Sequence, residues 1–256
     1  MDDISGVSLT QLANNFRSQL PREQADLLAN LPILLLCFIC HYAHGVATNL
    51  AYYFHIPREP LFDIGFVFFA PPTTVDELWS IFIRFILYTI TLIFIISRLF
   101  TRSSVTMSTI ITKVSVVLSI SELLRVVTFM STSFPGPHVF CRPDSPHYSP
   151  PAALADIFSP LALPSVFSLS PPTVCGDNVF SAQTMGFVIC AFTVAWYCRS
   201  FALKLAVWVL AFVASMMLVV LRVHYSLDVF VAWFAVTLVW LAYDAHFPDN
   251  VKGDLY

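Results

Sequence analysis

Six stretches of the chain are apolar over a length that fits a bilayer, and polar or proline-broken segments separate them. About 20 mostly apolar residues cross the hydrocarbon core. Leu31–Ile56, Leu78–Phe100, Val105–Met130, Ser181–Cys198, Phe201–Leu221 and Asp228–His246 meet that need. The third is interrupted by Lys113, Glu122 and Arg125. It is kept as a span because charged groups inside membrane helices face a partner, a cavity or a functional site. The pattern predicts an all-α integral membrane protein with six transmembrane helices. Residues 1–30 form a cytosolic N-terminal segment, 31–246 the membrane domain with a lumenal loop over about 135–180, and 247–256 a cytosolic tail.

Composition points the same way. Hydrophobic residues make up 57% of the chain and charged residues only 11%, with a mean hydropathy of +0.76. A soluble domain carries about a quarter charged residues, so that class is excluded. The net charge is −3 and no basic cluster occurs, which excludes a nucleic-acid partner. The first 26 residues mix acids, amides and two arginines without an apolar core, so no cleavable signal is expected. Arg17, Arg22, Arg98, Arg102, Arg199, Lys204 and Lys252 fall on one set of connections and termini, against Arg58 and Arg142 on the other. The positive-inside rule therefore predicts both termini in the cytosol.

Between residues 135 and 172 lie ten of the seventeen prolines. No regular helix survives that density, and the length suggests a cover over a site as well as a plain connection. Cys141 and Cys175 bracket the segment, and a disulfide between them is expected if it faces an oxidising lumen. Cys37, Cys40, Cys190 and Cys198 fall in or beside apolar runs and read as packing residues, not metal ligands.

The last predicted span begins with His224-Tyr225-Ser226-Leu227-Asp228-Val229. Histidine and aspartate four apart share one helix face. The carboxylate can hold one imidazole nitrogen as N–H and leave the other to attack phosphorus or take a proton. A phosphate diester needs fixed positive charge, and Arg125 and Arg222 are the candidates. Arg222 reaches the site only if the helix before it ends there. For Arg125 the alternative is a pair with Glu122, and Arg84 reads as structural. His41, His44 and Asn49 read as satisfied polar residues between helices. His55 and His246 read as interfacial, and Trp79, Trp196, Trp208, Trp233 and Trp240 as packing or belt residues.

Four segments, in order, resemble the motifs of the sphingomyelin synthase family, of the lipid phosphate phosphatase-like type. They are Pro60-Leu61-Phe62-Asp63; Arg125 to Thr128 running into Phe134-Pro135-Gly136-Pro137-His138 and Cys141; Cys175-Gly176-Asp177 to Ser181-Ala182-Gln183-Thr184; and His224 to Val229. The resemblance covers roughly Pro57 to His246. It implies a six-helix lipid phosphate phosphatase-like bundle, without cofactor, that moves a phospho-headgroup from a glycerophospholipid to ceramide and leaves diacylglycerol. It implies His224 as nucleophile and Asp228 as its orienting carboxylate. Asp177, Ser181, Tyr225 and His138 join Arg125 and Arg222 as candidate substrate contacts. The chain departs from the family where Gln183 stands in place of the proton-donor histidine and Ala182 in place of glycine. Glutamine donates a hydrogen bond but releases no proton, and a placed general acid is worth about 10²–10⁴-fold. Three outcomes stay open: a transferase with another proton carrier among His138, His147, Asp177 and Tyr225; a lipid-binding protein without turnover; and a lipid phosphatase. Choline, ethanolamine and inositol remain open as headgroups.

Overall fold

Every apolar stretch named above becomes a helix. The structure, a computed structural model, describes residues 9–101, 105–146, 148–158 and 174–248. Among the described residues there is no strand, and eight α-helices run in the order α1 (Leu9–Phe54), α2 (Ile64–Phe68), α3 (Thr74–Ser97), α4 (Met107–Ser131), α5 (Leu154–Ile157), α6 (Ala182–Tyr197), α7 (Phe201–Val220) and α8 (Ser226–His246). Several of their starts carry side-chain caps. Thr73 and Asp76 form a reciprocal box at α3, and Thr106, Ser181 and Ser200 cap α4, α6 and α7.

The first helix departs most from expectation, because the N-terminal segment joins it. Its 46 residues extend about 69 Å at 1.5 Å per residue, about twice the ~30 Å hydrocarbon core. Pro21 and Pro32 lie inside it, and each removes one amide donor. Tertiary contacts hold the upstream half. The buried Glu23 carboxylate accepts from Met107 N (2.7 Å), Ser108 N (2.9 Å) and Ser108 Oγ (2.9 Å), and Asp26 accepts from Thr106 Oγ1 (2.7 Å). One helix thus satisfies the open amides of another helix's first turn. Glu23→Ala strands those buried donors and is expected to cost about 1–3 kcal/mol, read as a lower unfolding midpoint in detergent. An unchanged midpoint would remove this role.

Among the described residues, four helices are long and apolar enough to cross a membrane: α1, α3, α7 and α8. Of the other two expected spans, α6 is apolar but has 16 residues, and α4 carries the three charges noted above. Each of those charges is met. Lys113 Nζ lies 2.8 Å from Asp244 Oδ1 and 5.1–5.7 Å from the ring centres of Trp196, Tyr197, Trp240 and Tyr243. Glu122 meets His41 at 2.6 Å, and Arg125 is held by the loop before α6.

The axis of the bundle is α6, with 13 of its 16 residues buried. It packs against α3, α4, α7 and α8, while α1 lies along α4. Outward faces are apolar, with Phe82, Phe85 and Leu92 on α3, Phe212 on α7, and Phe230 and Phe234 on α8 all exposed. A water-facing surface of that kind is a liability, whereas lipid accepts it. The described part of the proline-rich loop holds only a 3₁₀ turn at Val139–Cys141 and the one-turn α5. It lies on the end of α1, where Asn49 donates to Ile157 O and Tyr148 donates to His55 O. Residues 159–173, Arg102, His147 and Lys252 lie outside the described residues.

Candidate active site

The chain turns sharply between α7 and α8, and that turn sets the histidine. Arg222 adopts a left-handed conformation (φ 55), and Val223 N and His224 N both donate to Leu218 O. His224 is then buried against the start of α8, with Nδ1 at 3.2 Å from Asp228 Oδ2. Asp228 is fully buried and also accepts from Tyr225 N (3.0 Å) and, through Oδ1, from Val179 N (2.8 Å). An acceptor at Nδ1 fixes the proton there and leaves the lone pair on Nε2. Val179 sits at φ 82, a conformation costing a β-branched residue about 1–3 kcal/mol. Its bond to Asp228 holds it there. One carboxylate therefore orients His224 and fastens the third motif to the fourth.

Arg125 has a different place from the expected phosphate contact. Fully buried, it donates to Phe180 O (2.6 Å), to Asp177 O (2.9 Å), to the Asp177 carboxylate and to His44 Nε2 (2.7 Å). All those contacts are internal, so Arg125 positions the Cys175–Phe180 loop. Nor does it pair with Glu122, which faces His41 and His44. Asp177 is correspondingly committed to Arg125, and Ser181 Oγ to Thr184 N as the cap of α6 (3.2 Å). The loop passes so close to α1 that a Cβ on Gly176 would sit 2.9 Å from Ala51 O, at φ +90.

Tyr225 is likewise a fastener: its hydroxyl donates to Pro135 O (2.8 Å) and accepts from Leu61 N (3.0 Å). Asp63 accepts from Ser226 N (2.8 Å) and Ser226 Oγ (2.7 Å), joining the first motif to the fourth. Nothing in the local pattern marks that contact, because it spans most of the chain. Where α7 ends, Arg222 stacks over Phe66 at 5.3 Å. It is not among the residues lining the cavity around Gln183.

That cavity, about 120 Å³, is lined by Gln183, His138, Glu77 and Arg84, with Ile81, Leu218, Leu221 and Val223 as its apolar wall. Glu77 escapes the sequence reading, and Arg84 reads there as structural, not as part of a site. The first looks like an ordinary acid in a helix's first turn, the second like a snorkelling cation, yet Arg84 is 2% exposed. His138 Nδ1 accepts from Phe140 N at 3.2 Å, which leaves the proton on Nε2. Burial pushes this imidazole down, against an upward pull from Glu77, and Arg142 adds to the fall. His138 is therefore a neutral N–H donor, not a ready acid. Asp177 and Tyr225 are engaged as described, so none of these three residues is poised to deliver a proton.

His41, His44 and Glu122 bring three possible ligand atoms within 4.8 Å of one another. The donor set does not fit a cation. Arg125 has only donors, so His44 Nε2 must accept, its proton lies on Nδ1, and no lone pair remains for a metal there. The guanidinium charge opposes a dication as well.

Cys141 and Cys175 form a disulfide, with α-carbons 5.8 Å apart and a sequence separation of 34. It fixes the His138 turn to the third motif. Cys141→Ser with Cys175→Ser is expected to cost about 2–4 kcal/mol, from a loop of that size, read by unfolding with and without reductant. Equal midpoints for both proteins in oxidising buffer would contradict it.

Residues 174–245 match the family model described as PAP2 superfamily C-terminal. Phosphatidylinositol:ceramide inositolphosphotransferase 2 of Arabidopsis thaliana is 32% identical over 250 residues, covering 94% of this chain and 78% of the relative. Phosphatidylinositol:ceramide inositolphosphotransferase 3 of the same plant is 31% identical over 243 residues, covering 90% and 79%. The phosphatidylinositol:ceramide inositolphosphotransferase of Oryza sativa subsp. indica is 29% identical over 237 residues, covering 86% and 68%.

Proposed function

The chain belongs to the sphingolipid synthase family of lipid phosphate phosphatase-like membrane proteins, and on that footing we propose that it transfers phosphoinositol from phosphatidylinositol to ceramide. The supporting observation is the buried His224–Asp228 pair, with Asp228 on Nδ1 and the Nε2 lone pair left for phosphorus. In the first step His224 Nε2 forms the N–P bond, and the P–O bond to diacylglycerol breaks with its electrons on oxygen. In the second, the ceramide hydroxyl attacks phosphorus, the N–P bond breaks with its electrons returning to Nε2, and the hydroxyl proton passes to solvent water. The names of the plant relatives favour inositol over choline and ethanolamine. We read residues 31–246 as the membrane domain with six spans, both termini cytosolic and the site lumenal or exterior.

Gln183 occupies the place of the family's proton-donor histidine in this reading. Its amide steadies a leaving oxygen but does not protonate it, so the proton comes from solvent entering the cavity beside Glu77 and His138, and turnover is slow. The engagement of Asp177 and Tyr225 also favours a second reading, lipid binding without turnover. Proteoliposomes with labelled phosphatidylinositol, with and without ceramide, separate the two. Labelled inositolphosphoceramide formed only with ceramide supports transfer. Release of inositol phosphate regardless of ceramide indicates a phosphatase-type reaction, and retention of intact lipid indicates binding alone.

A further inference from the structure

His138 borders two cavities. On one side is the cavity of about 120 Å³ lined by Gln183 and by Val223, the residue before His224 in the chain. On the other is a larger one of about 580 Å³, walled by Glu59, Phe140, Arg142, Asp144 and Ser145. The second has the size of a small-molecule site, and its walls come from the segments after α1 and around the Val139–Cys141 turn. The disulfide at Cys141 holds that turn in place.

We propose that the outer cavity is the headgroup subsite and selects a polyhydroxylated ring, through carboxylate acceptors on Glu59 and Asp144 and N–H donors on Arg142 and His138. This rests on the reading that the site transfers a phospho-headgroup. With phosphorus at His224, the headgroup must extend away from the lipid chains, and His138 is the residue that the two cavities share. A ring hydroxyl both donates and accepts, so it uses both kinds of group. Arg142 Nε is buried and has no hydrogen-bond partner among the described residues, an orphan donor that a hydroxyl oxygen would satisfy. His138 Nδ1 is taken by Phe140 N, so its Nε2–H is the donor left for a ligand. A quaternary ammonium accepts from neither donor and, although Glu59 and Asp144 attract its charge, leaves the Arg142 Nε–H unsatisfied. The Phe140 ring, packed against Tyr52 at 6.3 Å, gives a flat apolar wall that a cyclitol face can also use.

The test uses the full chain in nanodiscs and measures dissociation constants for phosphatidylinositol and phosphatidylcholine by native mass spectrometry, with transfer to ceramide assayed alongside. Arg142→Gln and Asp144→Asn are each expected to weaken phosphatidylinositol binding about tenfold, the worth of a lost hydrogen bond to a charged group. Phosphatidylcholine should change by less than about twofold by the same reasoning. Retained phosphatidylcholine binding also shows that the variants are folded. Equal weakening of both lipids, no change in either, or weakening of phosphatidylcholine alone overturns the subsite. Selective loss of phosphatidylinositol in a protein that transfers no headgroup keeps the subsite and refutes the transferase reading.

Discussion

Gln183→His raises the rate of headgroup transfer from phosphatidylinositol to ceramide by about 10²-fold or more, the usual worth of a placed general acid. The cavity is already shaped for it. Gln183 is 6% exposed and shares its walls with Glu77, Arg84 and His138, and the two side chains are of similar size. An imidazole at 183 beside the Glu77 carboxylate can hold a proton for the departing diacylglycerol oxygen, then take one from the ceramide hydroxyl. Both half-reactions should therefore gain. Unchanged turnover in an active protein would mean that another group already carries the proton, and inactivity in both forms would favour lipid binding. The measurement is initial rate in proteoliposomes at saturating ceramide.

Asp228→Asn lowers that rate by about 10³-fold or more, comparable to loss of the orienting carboxylate in other His-dependent sites. Asp228 accepts from His224 Nδ1, Tyr225 N and Val179 N. The amide offers one acceptor oxygen and turns a donor toward the others. The His224 ring then loses its fixed tautomer, and Val179 loses the bond that holds its left-handed backbone. Lipid binding measured in parallel distinguishes this from collapse of the site. A variant that binds phosphatidylinositol normally and keeps more than about a tenth of the rate would remove Asp228 from the orienting role.

The helices and the His224–Asp228 pair were legible in sequence because both rest on local periodicity. Apolar runs of bilayer length and an i, i+4 spacing need no knowledge of distant contacts. The N-terminal extension of the first helix was not read from sequence: residues 9–30 are too polar to register as a span, and Glu23 and Asp26 dock them on the start of α4. Arg125 was misassigned for a related reason. A charge in a span invites a ligand, yet its partners are backbone oxygens of Asp177 and Phe180, more than fifty residues away. Asp63 and Glu77 show the same limit from the other side. Each looks like an ordinary loop or helix-end acid, and its meaning appears only when the first motif meets Ser226 and α3 meets Gln183.

The covalent phosphohistidine proposed at His224 can be trapped on the protein. The unaltered chain and the Gln183→His form are incubated with ³²P-labelled phosphatidylinositol without ceramide, so that the second step has no acceptor. The protein is quenched in alkali and its labelled peptide is mapped. An acid-labile label on His224 is expected, lost in His224→Ala and discharged by adding ceramide with formation of labelled inositolphosphoceramide. Sustained transfer to ceramide with no protein-bound label, or with a label that survives His224→Ala, would contradict it.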